Sequence, residues 1–151
     1  MLVQLLFAFG LAGVTVIFHA LGTSAVIVHL TRLLQYTRPD HELFSSGLMI
    51  ARVVGALLLL HLIETAIWAL FYLIAGDLPN FETALYFSVT SYTTVGYGDV
   101  LLPVPVRIVG PFEAAVGILM FGWSTAIIVA AVTKIHGAGL HLLANQPKDS
   151  Q

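Results

Sequence analysis

Three long apolar runs decide what this chain can become. Leu2 to Leu30, Gly47 to Ala75, and a run from about Val106 or Pro111 to Ile135 are almost free of charge. Each is long enough to cross a hydrocarbon layer about 30 Å thick as a helix, which takes about 20 residues. Within that layer an unpaired peptide group finds no water, so a spanning segment closes its own hydrogen bonds as a helix or joins a closed barrel. Runs of this length predict helices. With 9% charged residues and a mean hydropathy of +0.95 the chain reads as an integral membrane protein, since soluble domains carry about 25% charge. A formal net charge of -2 gives no reason to expect nucleic acid, and without cysteine there is neither a disulfide nor a thiolate metal site.

Between the second and third runs lies a segment of a different kind. Gly76-Asp77-Leu78-Pro79-Asn80 reads as a turn, with Asn80 as N-cap and Glu82 and Thr83 in the first helical turn, where an acidic side chain suits the helix dipole. The helix predicted over residues 80–92 would be about 18 Å long at 1.5 Å per residue, too short to span. It enters the membrane and returns.

Directly after it comes Thr93-Thr94-Val95-Gly96-Tyr97-Gly98-Asp99. A desolvated cation needs oxygen ligands on all sides, and consecutive backbone carbonyls facing one way can supply them. A strand alternates its carbonyls. Aligning them requires alternating left- and right-handed backbone, which glycine permits and a Cβ makes costly; Gly96 and Gly98 stand at alternate positions, as this requires. The Thr94 hydroxyl adds one more oxygen at the inner end, while Val95 and Tyr97 turn away to pack against protein.

The run Thr-Val-Gly-Tyr-Gly-Asp resembles the signature of the potassium channel superfamily at every position, and residues 47–136 resemble its bacterial two-transmembrane pore module. The resemblance implies an all-α membrane protein: an outer helix (47–75), a re-entrant pore helix (80–92), a selectivity filter (93–99) and an inner helix (106–136), assembled as a four-fold homotetramer in lipid. It implies potassium ion sites at the carbonyls of Thr94, Val95, Gly96 and Tyr97, with Thr93, Gly98, Asp99, Tyr86 and Phe87 supporting the filter. Many relatives carry tryptophan at the positions of Tyr86 and Phe87. Here Tyr86 can still donate to Asp99, but Phe87 has no donor for the Tyr97 hydroxyl. Gly117 and Gly122 lie where inner helices carry a hinge glycine, although close helix packing explains a glycine as well.

Residues 1–31 lie outside that module and read as an additional spanning helix with small residues at Gly10, Ala12, Gly13, Ala20 and Gly22. A cleaved signal peptide fits poorly, because no Lys or Arg precedes the apolar core. Residues 32–46 read as a cytoplasmic loop and 137–151 as a short, loosely ordered tail. Arg32, Arg38, Arg52, Lys134 and Lys148 then share one side and only Arg107 lies opposite, so the positive-inside rule places the N-terminus outside and the C-terminus in the cytoplasm of a plasma-membrane protein.

His61 and Glu64 share a helix face, and Glu113 sits in the third run. Ionisable groups at such depth mark function by default, and two readings stay open: pairing with each other or with Ser88, Thr90 or Ser91, or titration that couples pH to the filter. Arg107 belongs with them as a candidate. The spacing of His19, His29 and His61 matches no metal-ligand pattern. Ser124, Ile128, Ala131 and Ile135 form a stripe able to line the inner pore. No helix carries regularly spaced arginines, so gating falls to the filter, the bundle, lipid, protons or a regulatory protein. Nothing pairs a nucleophile with a base or suggests an organic cofactor, and a non-enzymatic, potassium-selective channel is the reading adopted. A weakly selective cation channel and a non-conducting membrane sensor are the alternatives.

Overall fold

The computed structural model describes the backbone of residues 2–36 and 42–144, and the side chains of residues 2–34 and 46–135. These form four α-helices, α1 (Leu2–Tyr36), α2 (Glu42–Ile74), α3 (Phe81–Tyr92) and α4 (Val109–Ala144), with a 3-10 turn at Val104–Val106 and no strand among the described residues. The protein is all-α. Three segments, Leu2–Leu34, Ser46–Ile74 and Val104–Ile135, are long and apolar enough to cross a membrane, and the 12-residue α3 is not.

The helices outrun the expected membrane spans. α1 continues past Leu30 through Thr31 and Arg32 to Tyr36, and α2 begins at Glu42, so most of the expected loop over 32–46 is helical. Polar residues mark where a helix leaves the lipid; they do not end it. Nothing between Thr31 and Tyr36 breaks a helix, for the stretch has neither Gly nor Pro, and the Thr31 hydroxyl folds back onto the Val28 carbonyl at 2.9 Å. At the other end α4 runs on to Ala144, through much of the expected tail; residues 145–151 lie outside the described residues.

The turns that place α3 follow their residues closely. Gly76, at φ 75°, ends α2 in left-handed backbone, with Gly76 N–H donating to Leu73 O and Asp77 N–H to Tyr72 O at 3.1 and 3.0 Å. This pair satisfies carbonyls that the helix end would orphan. Asn80 caps α3 as expected, its Oδ1 accepting the Thr83 amide at 2.9 Å.

α3 is held in a cradle of α2 and α4. Trp68, Ala69 and Tyr72 of α2 pack with Ala84, Phe87 and Tyr92 of α3 and Val109, Val116 and Met120 of α4, and Ala8 of α1 closes this core. A second core joins Leu30 of α1, Met49, Val53, Leu57 and Leu60 of α2, and Ala131 and Ile135 of α4. α1 therefore packs on its own α2 and α4 along its length. Gly22 permits the approach, since a Cβ there would lie 2.5 Å from Leu60 Cδ1, and Trp68 Nε1–H donates across the interface to Thr15 Oγ1 at 3.0 Å.

Candidate functional site

At the C-terminal end of α3 the backbone leaves helical geometry in a regular way. Thr94, Gly96 and Gly98 have φ of 63°, 51° and 77°, while Val95 and Tyr97 keep negative φ. The left-handed residues thus occupy every second position. Thr94 is the one described non-glycine residue at positive φ, a conformation that costs a side-chain-bearing residue about 1–2 kcal/mol. The glycines alone pointed to two such positions; extending their register back by two residues would have found the third. Thr94 N–H donating to Ser91 O at 2.9 Å and Gly96 N–H donating to Thr90 O at 3.0 Å tie the loop back onto α3. Residues 93–99 are exposed in the single chain.

Beyond the loop, the Tyr86 hydroxyl donates to Asp99 Oδ2 at 2.7 Å, and the Val100 amide donates to Oδ1 at 3.1 Å. The Tyr86 bond holds the Asp99 carboxyl below the usual carboxylate range, and the same contact raises the Tyr86 phenol. Phe87 points the other way. Its ring stands edge-on against Tyr72 at 5.2 Å and fills the space above Gly110, where a Cβ would lie 3.1 Å from Phe87 Cζ. It is a wedge between α2, α3 and α4.

Two buried polar clusters fasten α3 from behind. In the first, Glu113 of α4 accepts from the Tyr72 hydroxyl at 2.8 Å and makes a very short bond to Ser88 of α3. Ser88 in turn donates to the Thr65 carbonyl at 2.7 Å. Ser88 thus sits at hydrogen-bond distance from both the Glu113 carboxyl and the Thr65 carbonyl and bridges α2, α3 and α4.

The second cluster joins all four helices. Glu64 of α2 meets three polar groups: His19 Nδ1 of α1 at 2.8 Å, the Tyr92 hydroxyl of α3, which donates at 2.6 Å, and His61 Nδ1 of α2 at 3.1 Å, the last also 3.3 Å from the Tyr92 hydroxyl. The Nε2 atoms of both histidines converge on the Ser124 hydroxyl of α4, at 3.4 Å from His19 and 3.0 Å from His61. Phe121 lies against His61 at 4.4 Å and Trp123 against His19 at 5.4 Å. His19, Glu64 and Ser124 are buried, as is all but the margin of His61.

The expected pairing of His61 with Glu64 and of Glu113 with Ser88 is present; Thr90 instead bonds to the Phe87 carbonyl within α3. What spacing along the sequence did not reveal is His19, 45 positions from Glu64, together with Tyr92 and Ser124. The signal was a polar residue inside each apolar run. His19, His61 and Glu64 bring potential ligand atoms within 4.8 Å of one another, and the same atoms lie at hydrogen-bond distance from each other. His29 is not part of this set.

The structure gives the remaining candidates definite places. Ser124, Ala131 and Ile135 are buried against α1 and α2, and Ile128 packs on the same core, so this stripe, expected to line an inner pore, faces α1 and α2 of the same chain. Arg107 is exposed in the single chain, between the 3-10 turn and α4. Gly117 has a packing reason for its lack of a side chain: a Cβ would fall 2.0 Å from the Tyr92 carbonyl oxygen. Gly122 is exposed, and a Cβ there would meet nothing within 4 Å.

One family model, described as an ion channel, matches residues 57–134, just over half of the chain and the whole of α3 with its loop. The chain matches none of the curated proteins and none of the solved structures with which it was compared.

Proposed function

Because the chain belongs to the ion channel family, we propose that it is a potassium-selective channel whose filter is the backbone of Thr94, Val95, Gly96 and Tyr97, with the Thr94 hydroxyl at the inner end. The observation that carries this reading is the register of left-handed residues at 94, 96 and 98. Alternating handedness turns successive carbonyls toward one edge, the arrangement that can replace a cation's hydration shell. Thr94 adopts it at a cost, and such strain persists only where the surroundings over-determine it.

One copy of this edge is not a pore. Irregular backbone at membrane depth is tolerated where it is buried in protein or lines a water-filled cavity, yet residues 93–99 are exposed in the isolated chain. A closed cyclic homo-oligomer covers them and completes the ring of oxygens; four copies is the number the sequence resemblance implies. Asp99, braced by Tyr86, stands at the outer mouth, and the bias of Lys and Arg puts the N-terminus outside.

The test is ion flux in liposomes holding the purified protein, potassium against sodium under matched gradients. Potassium-selective flux that disappears in Gly96→Asp, where any side chain is strained at φ 51°, supports the reading. Equal sodium flux supports the weakly selective alternative, for which the inward-packed Phe87 is the motivating observation. Absence of flux over a range of pH and voltage refutes conduction by this chain alone.

A further inference from the structure

Arg52 lies inside the apolar segment Ser46–Ile74, about 9 Å from its start at 1.5 Å per residue. A charge at such depth is costly and calls for a counter-group. The chain offers none nearby. Among the described side chains the acids are Glu64, Asp77, Glu82, Asp99 and Glu113, and no carboxylate pairs with Arg52 among them. Glu64, on the same helix, stands about 18 Å further along the axis and is taken up by His19, His61 and Tyr92.

What Arg52 does face is a cleft between α1 and α2 of about 220 Å³. Leu30 of α1 and Met49, Val53 and Ala56 of α2 line it with hydrocarbon, and its polar groups are the exposed His29 and Arg52. Arg32 is exposed one turn beyond His29 on α1 and adds a second cation to that helix face. Pockets for drug-sized ligands take about 300–1,000 Å³. This one is smaller and suits a single hydrocarbon chain lying along the helices, with an anion at the polar side.

We propose that the cleft binds one anionic phospholipid per subunit, an acyl chain lying against Leu30, Met49 and Val53 and the headgroup phosphate held by Arg52 and His29. The guanidinium presents a planar fork that fits phosphate oxygens, and an imidazole carries an N–H donor in either tautomer. Two arginines favour a headgroup of net negative charge over a zwitterionic one, as basic pockets between spanning helices do. The occupant is a lipid and not free phosphate because the apolar walls contribute only when a chain covers them. Seated there, the lipid fills the gap and fastens α1 to α2. Every residue lining the cleft precedes residue 57, where the match to the ion channel family begins, so the site stands apart from that module and does not rest on the filter reading.

The test uses the full-length protein in detergent, titrated with phosphatidylglycerol, with phosphatidylcholine of the same chains, and with inorganic phosphate. Thermal unfolding reports stabilisation, and native mass spectrometry counts the lipid retained. Phosphatidylglycerol should raise the melting temperature saturably, with one molecule retained per subunit, whereas phosphatidylcholine and phosphate should do neither. Arg52→Gln, at an exposed position, should bind phosphatidylglycerol roughly tenfold more weakly, the loss of one charge-assisted hydrogen bond. Ala56→Leu keeps the charge and fills the cleft, and it should lose the retained lipid too. Each variant is read as the difference between the two lipids, so that a change in its own stability cancels. Equal effects of the two lipids would overturn the headgroup assignment, and a phosphate response equal to that of phosphatidylglycerol would overturn the acyl chain. Undiminished phosphatidylglycerol binding in either variant would mean lipid exchanging anywhere around the bundle and would overturn the site. If Ala56→Leu does not fold, the native chain with its three ligands and Arg52→Gln decide.

Discussion

Replacing Gly117 by alanine puts a methyl group where a backbone oxygen already sits. The new Cβ would lie 2.0 Å from the Tyr92 carbonyl oxygen and 2.9 Å from its carbonyl carbon. Carbon and oxygen reach ordinary contact near roughly 3.5 Å, so α4 and the end of α3 must separate by roughly 1.5 Å at this point. No side chain can turn aside to absorb the change, since the obstruction is main chain on one side and helix on the other. Overpacking of this kind costs about 1–3 kcal/mol, and a backbone obstruction belongs at the upper end. The shift also pulls Tyr92 from Glu64, whose 2.6 Å bond does not survive such a displacement. The assay is thermal unfolding of the detergent-solubilised protein beside ion flux, with Gly122→Ala as the control. That position has open space, and alanine in a helix interior is favoured over glycine by about 0.8–1.0 kcal/mol. Gly117→Ala is expected to melt several degrees lower and to lose flux, Gly122→Ala to melt no lower than the native chain. A Gly117→Ala protein of undiminished stability whose open probability alone has changed would refute the packing argument and favour a hinge.

Further expectations rest on single contacts. Ser88→Ala removes the bridge between Glu113 and the Thr65 carbonyl and leaves a buried carboxyl oxygen without that partner; a loss of about 1–3 kcal/mol in thermal or denaturant unfolding is expected, and no loss would mean the cluster is not assembled. Tyr86→Phe takes away the donor that holds the Asp99 carboxyl low. The Asp99 carboxyl, followed by NMR, should then titrate nearer the ordinary carboxylate value; the stability that the contact gives the native protein is present above that value and is lost as pH falls through the lowered one, so a variant with unchanged titration would show the contact to be absent in solution. Asn80→Ala deletes the cap of α3 at an expected cost of about 1 kcal/mol, read as a lower melting temperature. Gly22→Ala meets only the tip of Leu60, a flexible side chain, so it should cost less than Gly117→Ala; an equal or larger loss would show that α1 cannot yield against α2.

Much of the architecture was legible because lipid allows few solutions. A run such as Leu2 to Leu30 has to be helical whatever its neighbours are, and Asn80 followed by Thr83 caps a helix through contacts three residues apart. The alternation at Gly96 and Gly98 is legible for the same reason, since conformational preference is local to a residue. Helix ends were harder, because Arg32 and Glu42 signal departure from lipid and say nothing about whether the helix stops.

Local preference is enough for the three long apolar helices, the short helix between the second and third, the turn at Gly76 and the alternation at Gly96 and Gly98, because a few neighbouring residues express each of them. Packing between helices sets which face of α4 is inward, why Gly117 must lack a side chain, and that His19, Glu64, Tyr92 and Ser124 meet across four helices. Those contacts join residues 28 to 105 positions apart. A rotation of one helix about its axis would break them while leaving every local preference satisfied, so packing between helices, not the pattern along any one of them, selects the partners.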